Sequence, residues 1–358
     1  MRKCLFHIPL VIFFIVAVAA PAAAKTRTYY IAADEITWNY LPLGRDVAEN
    51  RPLPPLGPLF LGYRFKKAVY REYTDATFTT LKPRPASEQY LGILGPVIRA
   101  EVGDTIRVVF RNHAHRPYGV HPHGVFYLKS SEGAPYNDGK TKAEQLGDAV
   151  PPGGTYTYVW QVPDRAGPGP NDPNSVVWMY HSHTDEVNDV NTGLMGPLII
   201  VARGAMKPNG LPVGVDREII TAFDVVREDN SPYFDDNIKT YAKNPALFSK
   251  RPLPFPNGLV FPPINGYIFG NGPMITIHMG EHVRWYVIAT MSIGDFHVPH
   301  WHGNTVLDHG MRTDSLDLIP MGMKVVDMTP DDPGIWLYHC HVDVHLKFGM
   351  VTRYQVLP

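Results

Sequence analysis

Pro333-Gly334-Ile335-Trp336-Leu337-Tyr338-His339-Cys340-His341-Val342 is the stretch from which the rest of the chain is read. A proline and a glycine lead into a run of β-branched and aromatic residues, the pattern of a strand entered from a turn. Side chains alternate across a strand, so His339 and His341 share one face and Cys340 takes the other. His345 and Met350 follow closely, and His297 lies upstream. A thiolate, two imidazoles and a weak thioether are the donors of a trigonal copper that carries single electrons. Residues 339–341 can therefore join two metal centres through a short length of backbone.

The same spacing occurs three more times, as His121-Pro122-His123-Gly124, His181-Ser182-His183 and His300-Trp301-His302-Gly303. These motifs divide the chain into two parallel halves. Each half has a spaced pair, a long turn-rich region, and a second pair just before its last strand. A repeat of this kind carries more weight than any one motif. Each pair presents two imidazoles side by side, and eight is about the number three coppers need while leaving positions for oxygen. The other histidines, His7, His113, His115, His278, His282 and His309, stand alone and are given no role.

Short β-branched and aromatic runs recur between turns, at Thr105 to Phe110, Tyr156 to Val162, Leu198 to Val201, Glu218 to Phe223, Val283 to Thr290 and Met350 to Val356. With 35 prolines and 31 glycines and no long helical period, the chain reads as all-β. Its 358 residues allow two domains. Gly and Pro cluster in Arg203 to Val215, which places the domains at 25–205 and 216–358. Proline-rich Asn230 to Pro263 reads as an extended loop of the second domain.

Residues 1–24 read as a secretory leader. Arg2 and Lys3 precede an apolar run from Ile8 to Ala20 and the small residues Ala22-Ala23-Ala24. The expected location is periplasmic or extracellular. Cys4 would leave with the leader, so Cys340 would be the one cysteine remaining, and a lone thiol in an oxidising compartment calls for a metal. A net charge of −1 gives no basic surface for nucleic acid or for a membrane.

At these residues the sequence resembles the multicopper oxidases, above all the ceruloplasmin-like branch and the two-domain laccases. Pro333 to Val342 looks like the last domain of a ceruloplasmin. Ser131-Glu132-Gly133-Ala134 and Gly193-Leu194-Met195-Gly196-Pro197-Leu198 resemble first-domain signatures. The resemblance implies two cupredoxin-like Greek-key β-barrels and four coppers per chain. His297, Cys340, His345 and Met350 would hold a type 1 copper. His121 and His300 would hold type 2 copper, and His123, His181, His183, His302, His339 and His341 the type 3 pair. Ser182 stands where a second cysteine would be, so the blue copper is expected in the second domain only.

The same resemblance implies a homotrimer whose trinuclear sites lie between subunits, with electrons passing through Cys340 to His339 and His341 and on to O2. Laccase-like oxidation of phenols and aromatic amines is the leading expectation. Oxidation of ferrous or cuprous ions is the alternative, and nitrite reduction or copper storage rank below both. Asp185, two residues after His183, reads either as a carboxylate supporting the ligands and the proton supply or as a solvated loop acid. Asp343 could attract a metal ion or hydrogen-bond a ligand. Lys129, Glu132, Glu144 and Asp148 fall in a segment resembling a calcium loop, but Gly147 at an expected acidic position favours a plain surface loop.

Overall fold

The computed structural model describes residues 24–53, 57, 59–249, 258–290 and 296–358. All but the last position of the leader read at 1–24 lies outside the described residues. In the first half the strands are β1 (Thr26–Asn39), β2 (Arg64–Tyr73), β3 (Ile98–Glu101), β4 (Thr105–Asn112), β5 (His121–Pro122), β6 (Phe126–Tyr127), β7 (Thr155–Gln161), β8 (Ser175–His181) and β9 (Met195–Val201). They form two sheets, ordered β2-β1-β4-β7-β6 and β3-β9-β8-β5.

The second half supplies β10 (Arg217–Phe223), β11 (Val226–Arg227), β12 (Val260–Phe261), β13 (Ile275–His278), β14 (Val283–Ala289), β15 (Pro299–Trp301), β16 (Val306–Asp308), β17 (Met311–Thr313), β18 (Met323–Met328), β19 (Gly334–Cys340) and β20 (Val351–Leu357). Its main sheets run β10-β14-β18-β16-β17 and β13-β20-β19-β15, with β11 and β12 as a separate ribbon. The halves match in kind. The opening strands pair in parallel, β1 with β4 and β10 with β14, and so do β3 with β9 and β13 with β20. Each half is a Greek-key β-barrel of the cupredoxin type.

Alternation builds the barrels. On β4, Ile106, Val108 and Phe110 are buried while Arg107 is exposed, and on β7 Tyr158 and Trp160 point inward. Strands β9 and β14 are buried along their whole length, because the two barrels pack on each other. One apolar cluster runs from Val177, Met179 and Ile199 into Ile219, Trp285 and Val287. Each such side chain contributes roughly 1.5–3 kcal/mol on leaving water.

The described α-helices are short: α1 (Glu186–Val190), α2 (Phe234–Tyr241) and α3 (Asp343–Lys347). The first and last follow the second histidine motif of each half. Helix α2 corrects the reading of Asn230 to Pro263 as an extended loop. Phe234 and Ile238 lie one helical repeat apart and bury against Tyr40, Phe65 and Phe261. Asn237 Oδ1 accepts from the Lys66 amide at 2.7 Å and ties the helix to the first half. Residues 250–257 of that segment lie outside the described residues. Among the described residues, no helix is long and apolar enough to cross a membrane.

Candidate metal centres

Strand β19 sets the chemistry. Cys340 is its last residue and is fully buried, facing inward beside buried His297 and His345. Cys340 Sγ lies 4.0 Å from His297 Nδ1 and 3.6 Å from His345 Nδ1, and the three donor atoms fall within 4.8 Å of one another. Two backbone amides, of Val298 at 3.3 Å and Val342 at 3.5 Å, point at the sulfur. Amides aimed at sulfur favour the thiolate over the thiol. Met350 is fully buried at the same place, and its carbonyl accepts from the Cys340 amide at 3.1 Å. Helix α3 delivers His345, and the two imidazole rings are 4.9 Å apart.

The flanking histidines face the other way, as alternation requires. Strand β15 pairs with β19 so that His300 stands opposite His339. His300, His339 and His341 bring their donor atoms within 4.8 Å, and His302 Nε2 lies 3.0 Å from His339 Nε2. The first half repeats this arrangement. His121 stands opposite His181 on β5 and β8, and His121, His123 and His181 converge. His123 Nε2 is again 3.0 Å from His181 Nε2. The His183 ring sits 5.1 Å from that of His121, with its Nε2 turned toward Glu186 at 3.2 Å. Each group draws on one half of the chain.

Tautomers follow from the hydrogen bonds. A carbonyl only accepts, so a ring nitrogen bonded to one carries the proton. His121 Nδ1 donates to the Glu132 carbonyl at 2.7 Å, and His300 Nδ1 to that of Asp314 at 2.9 Å. His181 and His339 donate from Nδ1 to the carbonyls of Ser182 and Cys340, each at 3.0 Å. With Nδ1 carrying a proton, the nitrogen left for a metal on each of these four rings is Nε2, which points into the cluster. Burial, reinforced by neighbouring imidazoles, depresses the pKa of His123 to about 4, His181 to about 3 and His339 to about 4. The rings are therefore neutral near pH 7, as metal ligation requires. Buried lone pairs facing each other need a cation or a shared proton between them.

The first barrel keeps the frame of the cysteine centre with different contents. Ser182 takes the place of Cys340: its amide bonds the Leu194 carbonyl at 3.0 Å, as that of Cys340 bonds Met350. The Gly119 amide points at Ser182 Oγ at 3.4 Å, as Val298 points at the sulfur. Tyr118 bridges to Val150 as His297 bridges to Leu318. Buried Asp189 accepts from Ser182 Oγ at 2.6 Å, where His345 faces the thiol. Hydroxyl, phenol, carboxyl and isobutyl groups thus replace thiol, two imidazoles and thioether. No soft donor remains there.

The acids read near the histidines and in the calcium-like segment have definite partners. The side chain of Asp185 accepts from Asn188 Nδ2 at 2.8 Å, outside the histidine cluster. The carboxylate set against the rings is that of Glu186, 3.2 Å from His183 and 3.8 Å from His181. The start of α1 turns residue 186 toward them. The calcium-like segment is held together by its own lysine. Glu144 is partly exposed and accepts from Thr141, and the buried Lys140 ammonium sits 2.8 Å from Asp148 where a cation would be held. With that ammonium in place, the segment does not fit calcium.

A cupredoxin-like pair of barrels carrying a Cys–His cluster and facing histidine sets is a copper redox protein. Family models described as multicopper oxidase match residues 75–205 and 235–358. The chain belongs to the multicopper oxidase family, whose metal is copper. Ferroxidase HEPHL1 of Mus musculus is 40% identical over 343 residues, covering 93% of this chain and 29% of its own length. Hephaestin of Rattus norvegicus is 40% identical across 94% of this chain and 30% of itself. Ceruloplasmin of Homo sapiens is 38% identical across 92% and 31%. The chain thus spans less than a third of these relatives. Among solved structures, multicopper oxidase mgLAC superposes with a TM-score of 0.61 at 19% identity, covering 93% of this chain and 86% of that one. Copper nitrite reductase from Nitrosomonas europaea gives 0.59 at 15% identity, covering 93% and 94%. These two likenesses concern the fold.

Proposed function

We propose that the chain is an oxygen-reducing oxidase whose electron donor is a metal ion, ferrous iron foremost. The observation that carries the oxidase reading is the sequence of three residues in which Cys340 faces one cluster while His339 and His341 face another. Copper at these positions would supply one-electron transfer and the four-electron reduction of O2 to water. The protein's part is to keep four Nε2 lone pairs aimed inward, to hold the Cys340 thiolate under two amides, and to keep His297 and His345 buried against it. His297, Cys340, His345 and Met350 form the type 1 set in this reading. His121 and His300 form the type 2 set, and the other six paired histidines the type 3 set, with four coppers per chain. The choice of a metal-ion donor rests on the ferroxidase relatives and replaces the laccase expectation as the first reading.

A laccase-like reading keeps one specific support. Helix α3, which carries His345, exposes Val344 and Phe348, an apolar approach suited to an aromatic donor. Oxygen uptake by the copper-loaded protein with ferrous iron or with a methoxyphenol decides between them. Faster uptake with iron, above its spontaneous oxidation, upholds the metal-ion reading, and faster uptake with the phenol overturns it.

Each histidine group comes from one half of the chain, and His341 is exposed. We therefore place the complete trinuclear site between subunits of a homotrimer, a head-to-tail contact that closes into a ring. Mixing inactive His181→Ala and His339→Ala chains should then restore activity, because some interfaces receive two intact groups. The leader-like sequence of residues 1–24 and the buried thiol of Cys340 support an exported, periplasmic or extracellular protein.

A further inference from the structure

We propose that Lys140 is the built-in cation of a carboxylate pocket that would otherwise take a divalent metal ion, and that it fastens the loop orienting His121. The Lys140 side chain is 1% exposed, and its Nζ lies 2.8 Å from Asp148 Oδ2, 3.5 Å from Asp138 Oδ2 and 3.7 Å from Glu132 Oε2. It also donates to the Ala134 carbonyl at 2.8 Å. Three nearly buried carboxylates and a carbonyl converging on one point are the hard oxygen set that calcium favours. Asp148 Oδ1, shielded from water, receives no hydrogen bond and is spare ligating capacity. Lysine is almost never buried unless its charge is matched. Here burial works against the ammonium, but the Asp148, Asp138 and Glu132 carboxylates outweigh it and hold the Lys140 pKa above its ordinary value. Lys129, half exposed, closes the rim at 2.8 Å from Glu132 and 3.2 Å from Asp138.

The pocket lies behind the histidine cluster. The Glu132 carbonyl accepts from His121 Nδ1, and the Asp148 carbonyl accepts from Thr184 Oγ1 at 2.7 Å, next to His183. Gly133 takes a φ of +71°, and a Cβ there would meet the Val120 carbonyl at 2.3 Å, so the loop packs directly on the residue that leads into β5. A cation that neutralises Glu132 and Asp148 therefore holds both histidine segments of the first barrel at once. A tethered ammonium does this with no dependence on external metal.

The test is thermal unfolding of the copper-loaded chain during titration with calcium chloride, for the parent, Lys140→Ala, and Lys140→Ala combined with Asp148→Asn. The parent melting temperature should stay constant. Lys140→Ala should melt lower and recover about 5 °C or more as calcium saturates, while the double variant should not recover. Calcium stabilisation of the parent would overturn the proposal, as would a Lys140→Ala protein that stays low at every calcium concentration. If Lys140→Ala does not fold, it is refolded with and without calcium. Folding only with calcium upholds the proposal, and failure in both overturns it.

Discussion

The two barrels hold the same backbone frame around different chemistry. In the second, two amides face a thiol flanked by His297 and His345. In the first, an amide faces the Ser182 hydroxyl, with Tyr118, Asp189 and Leu194 in the ligand places. Yet the outward-facing histidines are kept in both, with Nε2 pairs at 3.0 Å in each. In the first barrel one strand face lacks soft metal donors while the other carries the histidines. Alternation makes that possible, because a substitution at residue 182 leaves the directions of residues 181 and 183 unchanged. In the proposed reading the electron-receiving centre lies in the second barrel alone, while both barrels contribute histidines to the oxygen-reducing cluster.

The largest expected effect comes from exchanging the residues that differ. Cys340→Ser should remove the blue colour and reduce oxygen uptake to background, since a hydroxyl cannot stand in for the thiolate. Visible absorption and an oxygen electrode read both. Ser182→Cys made as a single change on the Cys340→Ser chain should leave it colourless, because Tyr118 and Asp189 offer no imidazole. A blue band from that single change would break the comparison.

The next pair tests what the barrels share. Gly124 and Gly303 follow the first histidine motif of each half, with φ of +76° and +71°. A Cβ would meet the Trp178 ring at 2.2 Å in one and the Trp336 ring at 2.4 Å in the other. Both indoles are fixed by donating to carbonyls, of Ala166 and Asp332. Gly124→Ala and Gly303→Ala should each cost about 2–4 kcal/mol, from left-handed strain plus the clash. Denaturant unfolding should give similar losses. A large loss in one and none in the other would mean the motifs are not framed alike.

Much of this was legible in the sequence, and the reason is local. The H-x-H pairs, Cys340 and the trailing His345 and Met350 are fixed by strand alternation and short spacing. The sequence cannot show that Asp189 answers to His345, because the loop lengths differ: Ser182 and Leu194 are twelve apart, Cys340 and Met350 ten. Simple offset lands on Val187 instead. That Glu186 rather than Asp185 meets the rings does not follow from strand parity past His183, because α1 begins at Glu186 and changes the phase. Lys140 was invisible because its partners, residues 132, 138 and 148, meet only once the loop has folded. Helix α2 was hidden by the prolines around it.

Asp189 gives the smallest and sharpest test, since it is the residue with which the first barrel fills a ligand place. Burial pushes its carboxyl up to about 6, although Ser182 and the Asp185 amide hydrogen-bond it. An unfolded Asp titrates near 3.9, so the folded chain binds this proton more tightly. Folding then takes up a proton between about pH 4 and pH 6, and this group's contribution to stability falls as pH rises through that window and is level above it. Asp189→Asn does not titrate and escapes the loss. Relative to the parent, it should gain about 2 kcal/mol of stability from pH 4.5 to pH 7.5, on top of a loss of about 1 kcal/mol at every pH for the weaker bond to Ser182. Melting temperatures of both proteins across that range measure the difference. A flat difference would mean that the carboxylate meets water, and that the emptied site has opened rather than been filled.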